Sequence, residues 1–278
     1  MSEDRIDHAL VKQLMATQKS FASVRKTAAP IIAMSNNKNA SIKDLGALIE
    51  QDPELSARIL QVANSGFYSF RKKIESVSHA ISLLGWNSVK MISLGSSLLT
   101  RMCNTDRRLF NHSVRTAQIA RFLAQEANFY KIEEIAVVGL LHDFGRVIFE
   151  LFFPEKAAKL RQMTLDNGVP VHVAERELCG ADHGEVGGWT LAEWDLPENI
   201  TDSVVRHHSF EKDTYHGRKT AVIHVADVFA IATDFRGPGW EKVPELSPEA
   251  VEALGFSRGD LRDLLLAVMK MKFEPIIF

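Results

Sequence analysis

Apolar side chains recur at spacings of three and four along nearly the whole chain, and this period limits the fold more than any other feature. Ile6, Leu10 and Leu14 begin the pattern, and Phe21, Val24 and Ala28 continue it. Period-two alternation of β-branched residues, the mark of a half-buried strand, is nearly absent. The expectation is an all-α, multi-helical protein.

Local signals divide the pattern into elements. Ser41-Ile42-Lys43-Asp44 offers an N-cap followed by an acidic residue in the first turn. Pro53, after Asp52, suits a first helical position, and its helix turns Leu55, Ile59, Leu60 and Ala63 inward. Asn64-Ser65-Gly66 is a stop signal. Short helices are predicted over 76–84 and 86–100, and further helices over 109–128, 132–141, 154–167, 170–179, 182–194, 197–207, 219–235, 247–255 and 258–273. Ile132 to Leu141 is apolar nearly all round, which predicts a central buried helix. Residues 34–40 and 236–244 carry the loop-like composition. A polar break at Cys103-Asn104-Thr105-Asp106 suggests a division near residue 105, with no flexible linker. Segment 1–105 is then an N-terminal helical subdomain packed on a helical core formed by 106–278.

Composition narrows the function classes. Lys plus Arg number 33 against 35 Asp plus Glu, a balance that gives no reason to expect nucleic acid or an anionic membrane as the main partner. No apolar run approaches the roughly 18 residues that a spanning helix needs, and MSEDRIDHALVKQLMATQ lacks the basic-then-apolar order of a secretory signal. Two cysteines, Cys103 and Cys179, do not make a disulfide scaffold, so a reducing, cytoplasmic setting is expected. Neither a P-loop nor a GxGxxG fingerprint is present.

Chemistry concentrates after residue 110. Gly139-Leu140-Leu141-His142-Asp143-Phe144-Gly145-Arg146 places an adjacent His-Asp pair at the end of a strongly apolar helix. A carboxylate entering a core must be paired, hydrogen-bonded or metal-bound. Imidazole and carboxylate together suit Zn, Fe, Mn or Ni, although a buried His-Asp hydrogen bond capping the helix explains the dipeptide alone. His112 lies near the start of its helix. Asp182-His183-Gly184-Glu185 reads as a capping box, in which the helix dipole disfavours a charge on His183. His207-His208 end a helix, where the dipole favours histidine in any case. His224 and Asp227 share a face of an apolar helix, AVIHVADVFAIA, and an Asp there has few cheap explanations. Each residue has an ordinary structural reading. The order His…His-Asp…His…His-His…Asp is far more specific.

That order resembles the HD superfamily of metal-dependent phosphohydrolases. The resemblance implies one metal held by His112, His142, Asp143 and Asp227, and a second held by His183, His207 and His208, with Asp143 bridging. Upstream, DPELSARIL over 52–60, Ala63-Asn64-Ser65-Gly66-Phe67-Tyr68 and SVSHAISLLG over 76–85 look like the HDOD (HD-related output domain) branch, so the likeness covers roughly 20–235. It implies a bacterial signal-transduction protein with a protein partner and a metal-capable site holding one or two divalent transition ions. Its alternatives are an active phosphohydrolase acting on a phosphoester or nucleotide, and a helical interaction scaffold without metal. Two departures matter. The His-His pair continues as Ser209-Phe210-Glu211, without the Gly-Tyr-Pro of the branch that cleaves cyclic di-GMP. Arg146 stands where catalytic relatives commonly carry lysine. If the site is active, Asp143 carries the catalysis, with Arg146 and Arg115 as candidate phosphate contacts.

Overall fold

The computed structural model describes residues 5–17, 41–64, 73–85, 105–194, 196–210, 217–234, 242–271 and 273, together with residues 30, 34 and 89. All regular structure among them is helical. The helix expected around 21–28, that over 86–100 apart from Val89, the Ser65–Tyr68 turn, Cys103, Trp86 and Trp240 lie outside the described residues.

Helix α1 (His8–Thr17) is followed by α2 (Ile42–Glu50), α3 (Pro53–Ala63) and α4 (Val77–Leu84). Ser41 and Asp44 close a reciprocal capping box at the start of α2. Asp52 Oδ1 accepts the Leu55 N–H at 3.0 Å ahead of α3. Asn64 staples the end of α3 to the approach to α4. Its Oδ1 accepts the Ile74 N–H and its Nδ2 donates to the Ile74 carbonyl, both at 2.7 Å. Leu45, Ile49, Leu55, Ile59 and Ile81 share one apolar core.

A second, larger core is built by α5 (Arg107–Glu126), α6 (Ile132–Leu141), α7 (Phe144–Phe152), α8 (Pro154–Asn167), α9 (Val171–Cys179), α10 (His183–Ala192), α11 (Glu198–Val205), α12 (Gly217–Thr233), α13 (Pro248–Leu254) and α14 (Arg258–Lys270). Helices α5 and α6 pack together, and α12 lies against both. Helix α6 is buried, as its all-round apolarity predicts, and α12 is buried along nearly its whole length. Helix α10 packs on α7 and α11, with Asp182 and Glu185 forming the expected capping box. Ile6 and Val11 also enter this larger core, α1 packs on α10, and the Ile6 N–H donates to the Cys179 carbonyl at 2.8 Å. A boundary at residue 105 therefore leaves α1 in the first segment by sequence and with the second by packing. Among the described residues, no helix is long and apolar enough to cross a membrane.

Helix α7 is the element that the periodic pattern does not separate. Gly145, four residues past the end of α6, lies in the first turn of α7. In the structure it is a point of close approach: a Cβ there would lie 2.0 Å from the His183 carbonyl oxygen and 2.7 Å from the Gly187 nitrogen. Glycine lets α7 press against the first turn of α10. The chain breaks for two residues, His142 and Asp143, and turns both side chains into the space that α7 and α10 share with α5 and α12.

Candidate metal centre

Five segments deliver the seven predicted side chains to one place. His112 comes from the second turn of α5, His142 and Asp143 from the break between α6 and α7, and His183 from the first position of α10. His207 and His208 follow α11, and Asp227 sits within α12. His112, His142, Asp143, His183, His207 and Asp227 are buried, and His208 is partly so.

They fall into two groups that share Asp143. Ligand-type atoms of His112, His142 and Asp143 lie within 4.8 Å of one another, as do those of Asp143, His183, His207 and His208. Asp227 closes the first group, with Oδ1 3.1 Å from His112 Nε2 and 3.5 Å from His142 Nε2. In the second, His183 Nε2 stands 3.0 Å from Asp143 Oδ1 and 2.8 Å from His208 Nε2. His207 bridges the groups, its ring centroid 5.1 Å from that of His142 and 5.2 Å from that of His183.

Backbone carbonyls decide which nitrogens face inward. His142 Nδ1–H donates to the Gly139 carbonyl at 2.7 Å, and His207 Nδ1–H donates to the Val204 carbonyl at 2.6 Å. Each Nε2 is thereby turned to the centre, the tautomer that a metal requires. His207 Nε2 is buried with no hydrogen-bond partner. His142 Nε2 lies 3.3 Å from His112 Nε2 and 3.5 Å from Asp143 Oδ1. Lone pairs and carboxylate oxygens crowd one small volume, and only protons or a cation relieve that crowding. The residues fit one or two divalent ions, and a set of imidazole nitrogens and carboxylate oxygens suits Fe, Mn, Zn or Ni.

Burial opposes ionisation of Asp143, yet His142, Arg146 and His183 outweigh it and hold the carboxyl well below the usual carboxylate range. Burial likewise opposes a charge on Asp227, and hydrogen bonds from His112 and His142 hold its carboxyl well below that range. Burial and neighbouring imidazoles push His207 down to about 3 and His208 well below the ordinary histidine value. His183 behaves differently from the expectation. The α10 dipole favours its neutral form, and burial does too, but Glu175 and Asp143 together raise it well above the ordinary value. Two carboxylates at hydrogen-bond distance outweigh one helix terminus.

Arg146 joins the centre, its Nη1 donating to Asp143 Oδ2 at 3.1 Å. Arg115, the other candidate phosphate contact, does not line the cavity. Its Nη2 donates to the carbonyl and hydroxyl of Thr233, both at 2.8 Å, and its guanidinium lies 3.9 Å over the Phe273 ring. Its position on α5, one turn from His112, carries it to the end of α12 rather than to the centre. His224 is also spent elsewhere: Nδ1–H donates to the His207 carbonyl and Nε2 accepts the Ser247 N–H, both at 3.0 Å.

The sequence reading misses three residues. Glu175 Oε2 accepts the His183 backbone N–H at 2.8 Å and its Nδ1–H at 2.6 Å. His172 stacks on His208, centroids 4.1 Å apart. Lys242 lines the mouth. Glu175 and His172 lie three apart on α9, a spacing that puts them on one face, but nothing in the sequence says that this face meets His183. The mouth leads to a cavity of about 20 Å³ lined by His112, Asp143, Arg146, His172, His183, His208, Asp227 and Lys242, with Val171, Ile231 and Pro244.

A helical fold enclosing a His/Asp centre of this order defines an HD-type protein. The HDOD domain family matches residues 21–210, and the chain belongs to that family. It is similar to an HDOD domain protein of unknown function from Geobacter sulfurreducens (24% identity, TM-score 0.72, covering 94% of this chain and 93% of that one). A structure from Shewanella amazonensis SB2B, described as a candidate phosphohydrolase, is similar at 20% identity and TM-score 0.69, covering 94% and 92%. These likenesses show the fold. An uncharacterized protein of Treponema pallidum (strain Nichols) is 28% identical over 177 residues, 62% of this chain and 34% of its own length. The chain thus spans about a third of that curated relative.

Proposed function

We propose that this chain is a regulatory HDOD module of bacterial, cytoplasmic signal transduction, whose centre binds one or two divalent transition-metal ions and works through binding rather than turnover. His112, His142, Asp143 and Asp227 would hold one ion, and Asp143, His183, His207 and His208 the other. A partner protein reads the state of the module, with segment 106–278 carrying the centre.

The observation that carries this reading is a full set of ligands beneath a cavity of about 20 Å³. Such a space is about that of one water-sized occupant, a fit for an ion held directly by these side chains. Metal bound there would tie α5, α10, α12 and the His207-His208 turn into one unit.

A second reading, a metal-dependent phosphohydrolase, is favoured by one observation: Arg146 and Lys242 both line the cavity. When bound, the metal would supply hydroxide near neutral pH from its own water. Asp143 would hold its carboxylate to both ion positions, and Arg146 would take charge on a phosphoryl oxygen. The substrate would be a phosphomonoester, phosphodiester or nucleotide other than cyclic di-GMP.

Elemental analysis of anaerobically purified protein, with phosphate release from bis-p-nitrophenyl phosphate and from nucleotides, tests both readings. Bound metal with no turnover supports the regulatory module. Turnover that Asp143→Ala abolishes replaces it with the hydrolase, and protein free of metal under all loading conditions ends both.

A further inference from the structure

Helix α9 brings two residues from outside the ligand set against it. The ring of His183 has two similar nitrogens and, at the start of α10, no backbone carbonyl to choose between them. Glu175 makes the choice. Its Oε2 accepts from the His183 backbone N–H and Nδ1 at once, at 2.8 and 2.6 Å, so Nε2 alone faces Asp143 and His208. The Glu175 side chain is 3% exposed and does not line the cavity, so it acts through His183 rather than on a bound ion. His172, three residues earlier, lies flat on His208 with ring planes 15° apart. Arg176 pins the same helix to the cap of α10, donating to Asp182 Oδ2 at 2.8 Å.

We propose that Glu175 and His172 are positioning residues for the second ion position, and that α9 thereby sets its affinity independently of the first. The proposal rests on the metal reading above. The two positions differ in what backs them. His142 is oriented by a neutral carbonyl, whereas His183 is oriented by a buried carboxylate, which makes its inward nitrogen the stronger donor to a metal. The first position draws on α5, α12 and the α6–α7 break, with no residue from α9. A shift of α9 would withdraw the support of His183 and His208 and leave His112, His142 and Asp227 in place, so one ion could leave while the other stays.

Metal-free full-length protein titrated with Co²⁺, followed by its visible absorption and by ions retained per chain, tests this. Wild type should show two classes of binding. Glu175→Ala should weaken the second class by about 10–100-fold and leave the first unchanged. Glu175→Gln, whose amide oxygen still accepts both N–H groups without the charge, should fall between and guards against misfolding of the alanine variant. His172→Phe, which keeps the stacking, should retain the second class, and His172→Ala should weaken it. In the metal-free protein, nitrogen–proton correlation spectra should show a far-downfield His183 Nδ1 proton, moved upfield in Glu175→Gln. Two unchanged classes in Glu175→Ala, equal loss of both, or a His172→Phe as defective as His172→Ala overturns the proposal. Wild type that takes no Co²⁺ at all ends the metal reading itself. The His183 resonance then still decides the role of Glu175: unmoved in both Glu175 variants, it removes that role too.

Discussion

His183 Nε2 lies 3.0 Å from Asp143 Oδ1, and this contact joins the first turn of α10 to the break between α6 and α7. The same carboxylate faces His112 at 3.6 Å and Arg146 at 3.1 Å through Oδ2. Asp143→Ala therefore removes a candidate ligand from both groups. Metal content measured by elemental analysis should fall toward zero, whereas Asp227→Ala should reduce it only in the first group. In the metal-free protein the same change strips a buried counter-charge from His183 and Arg146, at a cost of about 3–5 kcal/mol by urea denaturation. Undiminished metal content would refute the bridging role.

The centre should make the metal-free protein sensitive to pH on both sides of neutrality. His172, His207 and His208 are held below the ordinary histidine value, His172 at about 4 and His207 at about 3. Below about pH 6.5 the unfolded chain takes up protons at these residues that the folded one refuses, so stability falls on acidification, by up to about 1.4 kcal/mol per pH unit for each. His183 has the opposite sign. Its folded value is raised, so its contribution is complete below about pH 6.5 and is lost as pH rises through the raised value. Asp143 and Asp227, held low, stabilise above about pH 4 and lose that contribution only in stronger acid. Urea midpoints across pH 5–9 should peak near neutrality, and His207→Asn should flatten the acid limb. A flat profile would contradict the charge assignments.

Gly145 should tolerate no side chain. A Cβ at 2.0 Å from the His183 carbonyl forces α7 and α10 apart, and with them Asp143 and His183. Gly145→Ala should cost about 1–3 kcal/mol from overpacking and lower metal retention as well. Gly168→Ala is the control: its φ of 58° carries strain, but nothing lies within 4 Å, so it should cost about 1 kcal/mol and leave metal unchanged. Thermal melts and metal counts on the two variants separate the effects.

His224→Leu should destabilise without touching a ligand. It leaves the His207 carbonyl and the Ser247 N–H without their partner, at about 1–3 kcal/mol for each group that stays dry. Arg115→Met should be milder and should leave metal content intact, because its donors serve Thr233. Loss of metal in Arg115→Met would place it back among the site residues.

Much of the helical layout was legible before any coordinates. The spans predicted over 132–141 and 154–167 coincide with α6 and α8, and Ser41, Pro53 and Asp182 mark helix starts as their chemistry requires. Such signals act over a single turn, so the chain carries them locally. The unusual order of histidines and aspartates was equally visible, because a carboxylate within an apolar helix needs an explanation wherever the helix goes.

What the sequence by itself determined is the helical class and the set of residues too polar for their apolar neighbourhoods. Only the tertiary structure decided their partners. The reason for Gly145 shows only when α10 is seen against it, the bonds of Arg115 only when Thr233 is seen beside it, and the place of Glu175 only when His183 is seen to meet it. The reason is physical: periodicity reports which face of a helix turns inward, whereas a contact depends on which other helix comes to meet that face, and no local signal along the chain encodes that meeting.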